Sequence, residues 1–178
     1  MTGRLNRLTG HAAMIAALAL AAPASAGPWQ CATFARAFSG IQVFGDAARW
    51  WDAAAGRYAE GRLPRVGGVL VFKATAAMGA GHVATVSRIV SPREIRVTHA
   101  NWSPIGGRRG EIERDVSVVD TSDAGDWSRV RVWYAPIGDL GRRDYPVFGF
   151  IYSAVAAAPA MATALAAIEA MPAELAGL

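Results

Sequence analysis

The sequence predicts an α+β domain in which N-terminal helices pack on an antiparallel β-sheet. Within residues 27–152 helical periodicity is confined to the stretch between Cys31 and Tyr58. From Gly68 to Tyr152 the chain changes to short runs rich in β-branched and aromatic residues, divided by Pro, Gly, Ser or Asp. Helices first and strands after is the order of an α+β arrangement, with the helices gathered on one face of the sheet.

The first helix is expected over Cys31 to Ser39, where Phe34, Ala35 and Phe38 fall on one face and Gly40 ends it. Asp46 is placed to cap a second helix through Trp50, Trp51, Ala54 and Tyr58 that stops at Gly61. Strands are expected at Gly68 to Phe72, His82 to Val90, Glu94 to Asn101, Val116 to Val119, Val130 to Tyr134 and Phe148 to Tyr152. Within the third of these, alternation puts Ile95, Val97, His99 and Asn101 on one face and Arg96, Thr98 and Ala100 on the other. The apolar pair marks the first face as inward, so His99 and Asn101 are polar groups aimed toward the helix layer. Such groups require partners.

The two ends differ from this middle. Residues 1–26 read as a secretory signal: Arg4 and Arg7 with no acid, an apolar run from Ala12 to Ala22 too short to span a bilayer permanently, and the small residues Ala24-Ser25-Ala26 before a cleavage site. A mature chain beginning near Gly27 in the periplasm or outside the cell is expected. Cleavage would remove two arginines and no acid, lowering the formal net charge from +4 to +2. Such near-neutrality gives no reason to expect a nucleic-acid partner. Arg108-Arg109 and Arg142-Arg143 read as solvated loops, with Glu111, Glu113 and Asp144 close by. Residues 153–178 are dominated by alanine; Met161, Leu165 and Ile168 recur at helical spacing, and Pro159 argues against a membrane span, so this tail is expected to be helical or disordered. Residues 27–152 are enough for one compact core, and a monomer is expected.

Cys31 is the only cysteine among 178 residues, so no internal disulfide can form. At a helix N-terminus its thiolate would be favoured by unsatisfied amides and the positive end of the helix dipole. His82, at the start of a strand after Gly79-Ala80-Gly81, and His99 supply imidazoles, and Gly81 leaves room for a ligand to approach the backbone. Thiol, imidazole and a polar orienting group are the parts of a cysteine hydrolase. Trp29 and Trp102, flanking these positions, are candidates to line a substrate cleft.

The ordered set Trp29-Gln30-Cys31, Pro64-x-x-Gly67-Gly68-Val69-Leu70-Val71-Phe72, Gly81-His82-Val83-Ala84-x-Val86 and Ala100-Asn101-Trp102 resembles the CHAP family, the cysteine- and histidine-dependent amidohydrolases and peptidases. The resemblance extends from about Trp29 to Tyr152. It implies a papain-like fold, amide hydrolysis in peptidoglycan, Cys31 as nucleophile and His82 as general base. Many members have Glu-x-Asn where this chain has His99-Ala100-Asn101, so the resemblance gives Asn101 the role of orienting His82, with His99 as an auxiliary. No cofactor is implied. Two other readings use the same residues: a zinc hydrolase with Cys31, His82 and His99 as ligands, and a wall-binding module without turnover.

Overall fold

The computed structural model describes residues 28–153 and 157–170. The expected signal peptide and the expected mature start at Gly27 lie outside the described residues, as does the side chain of Met161. Helix α1 covers Cys31–Ser39 and α2 covers Trp50–Ala54, preceded by a 3-10 turn at Ala47–Arg49. The strands are β1 (Ala59–Gly61), β2 (Val69–Phe72), β3 (His82–Ser91), β4 (Glu94–Ala100), β5 (Ile112–Asp120), β6 (Arg129–Tyr134), β7 (Asp139–Leu140) and β8 (Tyr145–Tyr152), followed by α3 (Ala157–Glu169).

All pairings are antiparallel, in the order β1-β8-β2-β3-β4-β5-β6-β7, with an additional pairing between β8 and β6. That last pairing closes β8, β2, β3, β4, β5 and β6 into a six-stranded barrel. The expected papain-like α+β arrangement, helices packed on an open sheet, is therefore corrected: the fold is mostly β, a closed antiparallel barrel with few short helices.

The closure depends on β8. Its first residues, Tyr145 and Pro146, pair with Val130 and Arg129 of β6, while Val147 to Ile151 pair with β2. Within the stretch paired with β2 a bulge skips Phe148 in the register, and Gly149 adopts φ +143°. A side chain at Gly149 would meet the carbonyl of Gly61 at 2.5 Å and the Trp51 ring at 2.9 Å. The bend that lets one strand serve two neighbours thus needs glycine.

The second helix is also shorter than its apolar spacing suggests. It ends at Ala54, Gly56 turns the chain with φ +74°, and Ala59–Gly61 becomes the edge strand on β8. Trp50 is fully buried, and Trp51 stacks on Phe148.

The barrel interior holds Leu70, Phe72, Val86, Ile95, Val97, Val118 and Phe150, the inward set of alternating strands. A second cluster forms outside the barrel, where Val69, Val71, Val83 and Ile151 meet Ala35, Ile41 and Trp50. α1 lies over this outer face. Its other flank buries Phe34 and Phe38 against Trp29, Ala100 and Ile168 of α3. The inward face of β4 thus points into the barrel, and α1 covers the opposite face through Ala100.

Candidate active site

Cys31 opens α1, whose cap position, Gln30, has extended backbone and makes no side-chain capping bond. The first-turn amides are therefore free to face the sulfur. Burial pushes the thiol pKa up, while the N–H groups of Val83, Ala32 and Cys31 itself pull it down. Burial dominates, so the resting group is the thiol. Val83 follows His82 directly, which sets the thiol beside the first turn of β3.

His82 is placed by the turn before it. Gly81 has φ +69°, and a side chain there would lie 2.7 Å from the backbone nitrogen of Ala48. The glycine permits close approach of the backbone of the 3-10 turn at Ala47–Arg49 as well as facing the pocket described below. The His82 ring is buried between Phe72 and Trp102, with centroids 5.5 and 4.9 Å away. Its Nε2 lies 3.0 Å from Nδ1 of His99. Nδ1 of His82 lies outside that bond.

His99 is 1 % exposed and stacks on Trp102. Burial holds its pKa down at about 3, and that of His82 well below the usual histidine value through burial, then the His99 and Arg109 charges. Both rings are consequently neutral near pH 7. The consistent tautomers are His82 Nε2–H donating to His99 Nδ1, and His99 with its proton on Nε2.

Beyond that proton stands a carboxylate. Glu113, on β5 directly opposite His99 in the register, is 5 % exposed, and its Oε1 lies 4.0 Å from His99 Nε2. The same oxygen accepts the Ser103 N–H at 2.6 Å. His99 Nε2 and Glu113 Oε2 have no hydrogen-bond partner among the described residues. His99 Nε2, buried and unpaired, is thus one small shift from a hydrogen bond to this carboxylate. A carboxylate thus reaches the third position of the site from the neighbouring strand, through the imidazole that replaces it in the chain. Sequence reasoning missed it because Glu111-Ile112-Glu113-Arg114-Asp115 reads as a charged loop. The only signal was the pairing of this stretch with β4, since Ile112 and Glu113 alternate as strand residues do.

The remaining expected residues are distributed differently. Asn101 follows β4 with φ +65°, and its Nδ2 donates to Gln30 Oε1 at 2.9 Å; the contact with His82 is made by His99. Asn101 therefore fixes the residue preceding the thiol. Trp29 is 3 % exposed and packs edge-on against Phe34, in the core beneath α3. Trp102 contacts both histidines and is anchored by its Nε1–H to the Trp133 carbonyl at 3.2 Å. Among the described residues no group of three or more His, Cys, Asp or Glu side chains is disposed to hold a metal ion, and the zinc set of Cys31, His82 and His99 is not assembled.

A pocket of about 980 Å³ adjoins the histidines, lined by Gly81, Asn101, Trp102, Arg109, Tyr134 and Tyr145 among others.

The family model described as CHAP domain matches residues 22–101, a span that takes in Cys31, His82, His99 and Asn101. Over these residues the chain is similar to the CHAP family. CHAP domains are in general hydrolases, amidases or peptidases, associated with peptidoglycan. No curated protein matches the chain. Among the described residues no helix is long and apolar enough to cross a membrane.

Proposed function

We propose that this protein is a cysteine amidohydrolase or endopeptidase that cleaves amide bonds of peptidoglycan, either N-acetylmuramoyl-L-alanine or within the stem peptide, through a thioester on Cys31. In this proposal residues 1–26 direct export, the chain acts as a monomer in the periplasm or outside the cell, residues 27–152 carry catalysis and residues 153–178 form an accessory tail. The observation that carries the reading is the His82–His99 hydrogen bond backed by Glu113, which orients the imidazole of the residue preceding Val83, whose backbone N–H faces the Cys31 sulfur.

The residues divide the chemistry as follows. Resting thiol and imidazole are both neutral, so proton transfer from Cys31 to His82 Nδ1 accompanies attack on the amide carbonyl. The N–H groups around the Cys31 sulfur are the donors for the oxyanion that forms. His82 then protonates the leaving amine, giving a thioester, and next takes a proton from the water that hydrolyses it. While His82 is cationic, its Nε2–H bond to His99 fixes the ring, and Glu113 supplies the negative charge that a neutral His99 lacks.

Wall hydrolysis is tested by treating purified peptidoglycan with the chain from Gly27 onward. Iodoacetamide should abolish release of fragments, and a chelator should not. The reverse pattern would favour zinc chemistry, and no release under any condition would favour a binding module.

A further inference from the structure

The arginines that the sequence places in two solvated pairs converge in the folded chain. Arg109, Arg142 and Arg143 all line the pocket beside the histidines, although more than 30 residues separate the first from the others. Among the described residues no acidic side chain lines it. Asp144, next in sequence, is committed to Arg131 and Thr121, and Asp139 to the Leu140 N–H. Among the described residues none of the three arginines is in an ion pair, and Arg109 donates to the carbonyl of Trp102.

Three unneutralised guanidinium groups around one concavity repel each other, and an anion would relieve this. The phenols of Tyr134 and Tyr145 add hydroxyl donors, and the Trp102 ring gives an apolar wall continuous with His82. With a net charge near neutral once the expected signal is removed, the basic field is local and does not extend over the surface. A planar fork of donors suits a carboxylate. A pocket of about 980 Å³ holds a segment of several residues, beyond a single small ion.

We propose that this pocket binds the free carboxylates of an acidic peptide and so selects unamidated stem peptides over amidated ones. The inference rests on the hydrolase reading for its choice of peptide. Arg109 and Trp102 hold the part nearest the scissile bond, and Arg142 and Arg143, on the loop between β7 and β8, hold the part farther away.

The test uses calorimetry with the Cys31→Ala protein and two probes, a muropeptide with free stem carboxylates and the same muropeptide amidated at those positions. The free form should bind about tenfold more tightly, a preference lost in Arg142→Gln and Arg143→Gln and diminished by high salt. Both arginines are exposed, and unchanged melting temperatures would show that the fold is intact. Equal affinity for the two probes, or binding of neither, overturns the proposal. Turnover by the unsubstituted protein separates the two claims. Equal cleavage of both probes overturns carboxylate selection and leaves the hydrolase standing, whereas discriminating binding with no Cys31-dependent cleavage overturns the hydrolase and leaves the pocket.

Discussion

Replacing Glu113 by glutamine removes one negative charge while preserving shape and the oxygen that accepts the Ser103 N–H. The charge it serves is the imidazolium of His82, separated by a 3.0 Å hydrogen bond, one imidazole ring and a 4.0 Å gap. At roughly 9 Å and an effective dielectric of about 20, two unit charges interact by about 2 kcal/mol. Because His82 is charged only along the reaction path, this stabilisation falls on the transition state, and its loss should lower kcat about twentyfold with little change in KM. The assay is single-substrate hydrolysis of a purified muropeptide, with the melting temperature of each variant measured in parallel. Glu113→Ala should add a stability loss of about 1–3 kcal/mol, because the buried Ser103 N–H loses its acceptor. A Glu113→Gln enzyme with kcat within twofold of the parent would refute the electrostatic role.

His99→Ala should lower kcat by about a hundredfold or more, as loss of a base-orienting group does, whereas Asn101→Ala, which severs only the link to Gln30, should cost about tenfold or less; the reverse order would return the orienting role to Asn101. Both histidines are held neutral in the fold, so the unfolded chain binds more protons than the native one below its pKa of about 6.5. Stability is therefore complete above pH 6.5 and falls as pH drops toward the depressed native values, by about 1.4 kcal/mol per pH unit for each ring, and denaturant titrations between pH 7 and 5 would measure the slope. Alkylation of Cys31 by iodoacetamide should be slow at pH 7 and accelerate above pH 9, since burial raises the thiol; rapid alkylation at pH 6 would mean a preformed thiolate. Ile168→Ala should destabilise the domain by about 2 kcal/mol through the cavity left beneath α3, read as a lower melting temperature, and an unchanged value would show that α3 does not dock.

What the sequence made legible was local. α1 is stopped at Gly40, its backbone in the left-handed region, and the inward alternation of Ile95, Val97 and His99 holds because each is set by a few neighbouring residues. Barrel closure was not legible, because helices-then-strands describes an open sheet and a closed one equally. The pairing of Val130 with Tyr145 depends on a bulge whose only trace is one glycine in Phe148-Gly149-Phe150. The direction of His99 followed the same limit: alternation marked its face as inward, but only the closed barrel shows that inward means away from α1. In the site, Cys31 and His82 stand out by type and order, while Glu113 and the pocket arginines are joined to them through strand register and loop convergence. Charged loops looked solvated because their partners lie far along the chain.

The central claim is a Cys31-dependent amide hydrolysis, and the most direct measurement is mass spectrometry of fragments released from purified peptidoglycan by the chain from Gly27 onward beside its Cys31→Ala variant. The account predicts fragments that differ from the intact wall by cleavage at one type of amide bond and that are absent with the variant. Equal release by both proteins, or none by either with Cys31 titratable and the fold intact, would contradict it.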